Sequence, residues 1–228
     1  MEAVADPCGS DLVGQTFKRM YETTGTADSL IAAGTELFSA RGFEGTSIRE
    51  ITGRAGVNIS AVGYHFGSKE GLWHAVLEAG LGPLRDAMAS AASGEGPALD
   101  RIERALRALF LFAREHPELN GLMLHVLASA PPIPAPALQT IQFNSGTMRS
   151  LIEEGQREGE IRSGEPRLLA LSVASQPLAL WLARPALRGI GLIELSNQDE
   201  FDELVNNAVL FVRAGLAPNP TSRGRASQ

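Results

Sequence analysis

Among 228 residues there is one cysteine, Cys8, so no intramolecular disulfide can form, and nothing in the cysteine usage points to an oxidising compartment. A long apolar run is also missing. The most apolar stretch, LLALSVASQPLALWLA from Leu168 to Ala183, is shorter than the roughly 20 residues a membrane span needs. Ser172, Ser175, Gln176 and Pro177 interrupt it, so a buried helix of a soluble protein is expected and no membrane partner. The opening residues, MEAVADPCGSDLVGQTF, carry early acids, Pro and Gly without an apolar core, unlike a secretion leader. A cytoplasmic location is the matching expectation. Positive charge is in deficit: 20 Lys and Arg stand against 26 Asp and Glu, for a net charge of −6. That balance argues against nucleic acid binding over the whole surface and leaves room only for a local basic face.

Catalytic patterns are absent as well. His74, His116 and His125 do not have the spacing of metal-ligand pairs such as H-E-x-x-H. No Ser/His/Asp arrangement or GxGxxG is present, and GEGP at 94–97 has no Lys-Ser/Thr with which to cradle a phosphate. No catalytic residue, metal site or cofactor is expected. Strand-like alternation and internal repeats are missing too.

What is present is helical periodicity. Leu30, Ala33, Gly34, Leu37 and Phe38 repeat at helical spacing, and Gly42 is placed to end that helix. In TSIREITGRAG, Ser47 and Glu50 form an S-x-x-E capping box and Gly56 suits the C-terminal stop. A short helix is expected over about 59–65, and Ser68 opens a fourth. Beyond SGEGP, at 93–97, Leu99, Ile102, Leu106, Leu109, Phe110 and Ala113 make one apolar face. Leu119, Leu122, Met123, Val126 and Leu127 make another. APPIPAP, at 130–136, reads as a stiff connector to a long helix over about 137–158. The segment 167–184 is apolar almost all round, so it should be buried on most sides and kinked at Pro177. The last helix, about 200–214, presents Phe201, Leu204, Val205, Ala208 and Val212. The fold expected is all-α. An arm covers 1–27, a three-helix domain 28–80, a second helical domain 81–215 and a disordered tail 216–228.

Three helices joined by short Gly-containing turns spell helix-turn-helix, whose second motif helix enters the major groove of DNA. In GVNISAVGYHFGSKEGL, Val57 and Val62 can face inward while Asn58, Ser60 and Ala61 face out. Tyr64 and His65 then lie at the helix end, where a hydroxyl and an imidazole N–H can reach phosphates, and Phe66 anchors the turn. Lys69 sits at a helix start, favourable for phosphate. Within 41–75 four basic residues (Arg41, Arg49, Arg54, Lys69) face three acidic ones (Glu44, Glu50, Glu70), a local balance of +1.

LIAAGTELFSARGFEGTSIREITGRAGVNISAVGYHFGSKEGLWHAVL, within residues 28–77, resembles the DNA-binding domain of the TetR/AcrR family of bacterial transcriptional regulators. The likeness spans LFSARGF, GTSIREIT-RAGV and YHFGSKEGL, about a fifth of the chain. It implies that Tyr64, His65 and Lys69 touch the DNA backbone. It implies that Arg49, Asn58, Ile59, Ser60 and Ala61 face bases or adjoining phosphates, and that Thr46 and Ser47 lie near a phosphate. Many members have Thr where Ala61 stands and Tyr where Gly63 stands, which bears on the operator sequence rather than on the motif.

The resemblance also implies a homodimer on a palindromic operator, acting as a repressor released by a small ligand. An apolar or amphipathic effector would suit a cavity drawn from Phe110, Met123, His125, Phe143, Asn144, Met148, Gln176 and Trp181, although each also reads as ordinary packing. A four-helix dimer interface would draw on Leu178, Trp181, Phe201, Leu204, Val205, Ala208, Val209 and Val212. Two rivals from other classes are a small helical enzyme with a helix-turn-helix-like N-terminus and a helical protein-interaction module.

Overall fold

The computed structural model describes residues 25–128, 132–191 and 197–218, leaving aside the side chains of 181, 184, 185 and 188. Nearly all of the expected N-terminal arm and most of the expected tail lie outside the described residues, as do Trp181's side chain and part of the 130–136 connector. Every regular element among the described residues is a helix. The chain divides into two compact units after Leu77.

The first unit holds α1 (Thr26–Arg41), α2 (Ile48–Ala55), α3 (Ser60–Phe66) and the opening turns of α4 (Lys69–Ser93). Its punctuation is local chemistry. The N–H of Gly42 donates to the Phe38 carbonyl at 2.8 Å and closes α1. α2 starts at a reciprocal cap: Glu50 N–H donates to Ser47 Oγ at 3.2 Å, and Ser47 N–H donates to Glu50 Oε2 at 2.9 Å. It ends at Gly56, whose φ of 69° and ψ of 27° lie in the left-handed region that glycine adopts without strain. α2 and α3 both pack on α1. The core they enclose is Leu30, Phe38, Ile51, Val62, Leu72, Trp73, Val76 and Leu77, all buried. Phe38 meets Trp73 edge-on at 4.9 Å between ring centroids.

The second unit contains the rest of α4 and α5 (Ala98–Glu115), α6 (Pro117–Ala128), α7 (Ala135–Arg157), α8 (Pro166–Gly189) and α9 (Gln198–Leu216). α5 is central and packs against α6, α7, α8 and α9. Of the face expected from the spacing, Ile102, Leu106, Leu109, Phe110 and Ala113 are buried and Leu99 is half-buried, while Ala98, Ala105 and Phe112 join the buried set. The arginines off that face tie it to its neighbours. Arg101 donates to the Ala92 carbonyl at 2.8 Å and to Glu154 at 2.6 Å, and so joins the end of α4 to α7. Arg104 donates to the carbonyls of Ala91 and Glu95 at 3.4 and 3.1 Å. Arg213 of α9 donates to Asp100 at 2.8 Å and to Glu103 at 2.7 Å, while Arg107 bonds Glu103 and Asn206.

Two expectations about the C-terminal helices need correcting. α8 is not buried on most sides. Leu169, Ala170, Val173 and Leu180 are buried, but Leu168, Leu171, Leu178 and Leu182 are 63, 65, 37 and 45 % exposed. The helix runs through Pro177 to Gly189. On α9, Phe201, Val205, Val209 and Val212 are core of their own chain, not free interface. α9 packs on α5, and the Arg114 guanidinium lies 4.2 Å over the Phe201 ring. Leu204 and Ala208 are half-buried. The exposed apolar side chains of α9 are instead Leu210 and Phe211. An apolar stripe has the same spacing whether its partner is another helix of the chain or a second chain, which is why periodicity misassigned it.

Two predictions follow from this packing. A methyl group on Gly71 would stand 2.0 Å from the Phe66 carbonyl oxygen, which is backbone and cannot rotate away. Gly71→Ala should therefore destabilise the protein by about 1–3 kcal/mol in urea titrations. The second concerns Glu103. Burial pushes its carboxyl up, but the bonds from Arg213 and Arg107 outweigh burial and hold it below the ordinary carboxylate range. A carboxyl depressed in the folded state contributes stability above its unfolded value, and that contribution is lost as pH falls through the folded value. The melting-temperature gap between wild type and Arg213→Met should thus be open at neutral pH and narrow below about pH 4.

Candidate nucleic-acid interface

α3 has few packing duties. Val62 is 1 % exposed and carries most of them, with Ala61 and Phe66 half-buried. Ser60, Gly63, Tyr64 and His65 are exposed. Tyr64 is 85 % exposed, and its ring stands nearly perpendicular to His65 at 4.9 Å. Ile59, immediately before the helix, is 56 % exposed. Asn58 has a role that the sequence reading missed: its Oδ1 accepts the Ser60 N–H at 2.9 Å and the Ser60 hydroxyl at 2.8 Å. Asn two residues before a Ser at a helix start is a recognisable turn signal.

The local charge resolves into committed and uncommitted cations. Arg41 pairs with Glu50 at 2.8 Å, and Arg54 pairs with Glu36 at 2.8 Å. Arg49 is exposed on α2 and has no ion-pair partner among the described residues. Lys69 opens α4 half-buried, with its ammonium 4.3 Å over the Phe43 ring and no ion-pair partner among the described residues. The Glu50 carboxyl is held below its usual range chiefly by the Ser47 hydroxyl and N–H, with Arg41 assisting.

Two residues assigned near phosphate have other work. Thr46 is buried, and its hydroxyl donates to the carbonyls of Gly42 and Leu37 at 2.9 and 3.2 Å. It ties the turn between α1 and α2 and offers no exposed donor, which corrects the expectation of a phosphate contact. The Ser47 hydroxyl is exposed but donates to Glu50 Oε2 at 2.7 Å while capping α2. A phosphate there would compete with the cap.

The residues expected to line a cavity in the second unit divide three ways. Phe110 and Met148 are 1 % exposed and Met123 is 9 % exposed, all within the core. Phe143 is 41 % exposed on α7, so it is surface and not internal lining. His125, Asn144 and Gln176 are half-buried. Asn144 Oδ1 is itself buried and, like Asn120 Oδ1, lacks a hydrogen-bond partner among the described residues. Among those residues no group of three His, Cys, Asp or Glu could hold a metal ion, and no helix is long and apolar enough to cross a membrane.

Residues 30–76 match the model of the bacterial regulatory proteins of the tetR family. The HTH-type transcriptional repressor NicS of Pseudomonas putida is 30% identical over 155 residues, 65% of this chain and 71% of that protein. The chain belongs to the TetR family. It is a DNA-binding transcriptional regulator, not an enzyme. The likeness extends well past the DNA-binding unit. The HTH-type transcriptional regulator RutR of Escherichia coli K12 is 25% identical over 218 residues, covering 90% of this TetR-family chain and 97% of RutR. Among solved structures, FadR of Bacillus subtilis in complex with stearoyl-CoA shares the fold with a TM-score of 0.69 at 15% identity, over 82% of this chain and 98% of FadR.

A half-buried lysine that meets a phosphate would act as a point charge, with no preference among bases. Lys69→Ala should weaken binding to all duplexes alike and lower the slope of log affinity against log salt by about 1. Sequence-selective loss in that variant would contradict a phosphate role.

Proposed function

We propose that this TetR-family regulator is a homodimeric repressor whose operator affinity is lowered by a small apolar or amphipathic ligand. The observation that carries the dimer is the uncovered stripe on α8. Leu168, Leu171, Ser175, Leu178 and Leu182 recur at alternating steps of three and four, the seam spacing of paired helices. Leu210 and Phe211 on α9, each 67 % exposed, add to it. Large apolar side chains at that spacing are costly in water and are relieved by a two-fold partner presenting the same stripe. Two α3 helices would then enter successive major grooves, about 34–36 Å apart or a multiple of it. In this reading Arg49, Tyr64, His65 and Lys69 contact phosphates or adjoining base edges, and Asn58, Ile59, Ser60 and Ala61 face the bases. The repressor name of the relative NicS supports the direction of regulation.

The ligand reading rests on the composition of the second unit. Its buried side chains are mostly Leu, Ile, Val, Phe, Met and Ala, and Asn120 Oδ1, Asn144 Oδ1 and Glu160 Oε2 are buried acceptors there without a hydrogen-bond partner among the described residues. A buried acceptor without a donor is costly until one arrives. A ligand with an apolar body and a donor group suits such a lining, and the stearoyl-CoA in the related FadR fold is of that kind. A ligand that prefers the DNA-incompetent state shifts the population by its differential affinity, and moving 1:99 to 99:1 takes about 5.5 kcal/mol.

The dimer is tested by light scattering at micromolar concentration. Leu171→Glu with Phe211→Glu should give monomers that bind a full operator far more weakly, whereas wild type should be a dimer. A monomeric wild type would sink the reading. For the ligand, a panel of acyl-CoA thioesters should contain members that raise the melting temperature and lower operator affinity together. Stabilisation without any change in operator affinity would remove the regulatory role.

A further inference from the structure

Among the described residues of the first unit, one large aliphatic side chain is exposed on the surface around α3, and folding does not explain it. Ile59 is 56 % exposed, while the core it might have joined is already filled by Phe38, Ile51, Val62, Trp73 and Val76. Its backbone is helical, with φ of −58° and ψ of −31°, so Gly63 lies one turn further along and beside it. A Cβ built on Gly63 would meet nothing within 4 Å. Ser60, the other neighbour, is small and turned into the Asn58 cap. Ile59 therefore borders open space floored by bare backbone at Gly63.

We propose that Ile59 is a specificity-determining residue that packs on the 5-methyl group of a thymine, one in each operator half-site, with the space over Gly63 admitting the base edge. The inference rests on the operator-binding reading and deepens it. Major-groove edges offer donors and acceptors at every base pair, but thymine alone adds an apolar group. An isoleucine has no hydrogen bond to give, so among base edges it gains only from that methyl. The absence of a side chain at position 63 matters for the same reason: a larger residue would fill the space through which the methyl reaches the Ile59 side chain.

The test uses the full-length protein and duplex DNA. Sequences are first selected from a random pool. Each thymine of the selected half-site is then replaced singly by deoxyuridine, which removes the methyl and nothing else. For wild type, one position per half-site should lose affinity about fourfold on this exchange, and about fifteenfold when both half-sites carry it. Ile59→Ala should bind thymine and deoxyuridine operators equally well, and Ile59→Val should keep part of the difference. Because Ile59 is exposed, both variants should melt with wild type. A thymine preference that survives intact in Ile59→Ala overturns the proposal, as does a selected operator with no deoxyuridine-sensitive position. A loss of dimer in Ile59→Ala without DNA assigns the side chain to a contact between chains and overturns it too. Failure to enrich any sequence is the separate result that overturns the operator-binding reading itself, and this inference with it.

Discussion

A seven-residue helix cannot hold itself together in water, because too few hydrogen bonds repay the ordering of its first turn. Everything about α3 follows from that. Its entry is tied by the Val57 N–H donating to the Thr52 carbonyl at 3.0 Å, and by the Asn58 side chain on Ser60. Its single fully buried residue, Val62, is seated against α1 and α2. With stability supplied from outside, the remaining positions need not pack. They can be small, polar or aromatic, and a side chain such as Ile59 can be left in water.

The scaffold that does this work is built from close approaches and satisfied turns. Gly34 sits where a Cβ would lie 2.9 Å from Val76, so α1 and α4 approach closely. Phe38 and Trp73 fill the space between them. The Thr46 hydroxyl satisfies two carbonyls at the end of α1. These contacts are short-range and shape-specific, and they orient α3 through packing more than through charge. Surface pairs such as Arg41–Glu50 and Arg54–Glu36 add little stability, but they consume cations and so decide which charges remain for a polyanion.

The second unit uses a different arrangement. There one amphipathic helix, α5, is surrounded, and its polar flank is stitched to α4, α7 and α9 by arginines acting on carbonyls and carboxylates. Guanidinium groups suit this because one planar fork can serve two helices at once. The outcome is a unit whose apolar interior is closed on the α5 side, while α8 and α9 keep apolar side chains facing outward. A self-complementary outward stripe is the physical basis for reading a two-fold partner, and with it the paired α3 helices that a palindromic site requires.

Much of this was legible in the sequence. Helical period, the S-x-x-E cap, Gly42 and Gly56 set α1 and α2 because those signals act within a few residues and need no distant partner. The run through Tyr64, His65 and Lys69 carried the DNA-binding reading only together with the helix-turn-helix spacing and the family resemblance of the surrounding sequence. Tertiary structure alone decided three matters. Thr46 could have faced water or carbonyls, and only the folded turn brought the Leu37 and Gly42 carbonyls at the C-terminal end of α1 within reach of its hydroxyl. Arg49 and Arg54 look alike along the chain, and only the approach of Glu36 from α1 made one of them committed. Phe201, Val205, Val209 and Val212 form a stripe whose partner no periodicity can name. The packing of α5 claimed it, and Leu210 and Phe211 were left outside because side chains on one helix cannot face the same neighbour from both sides.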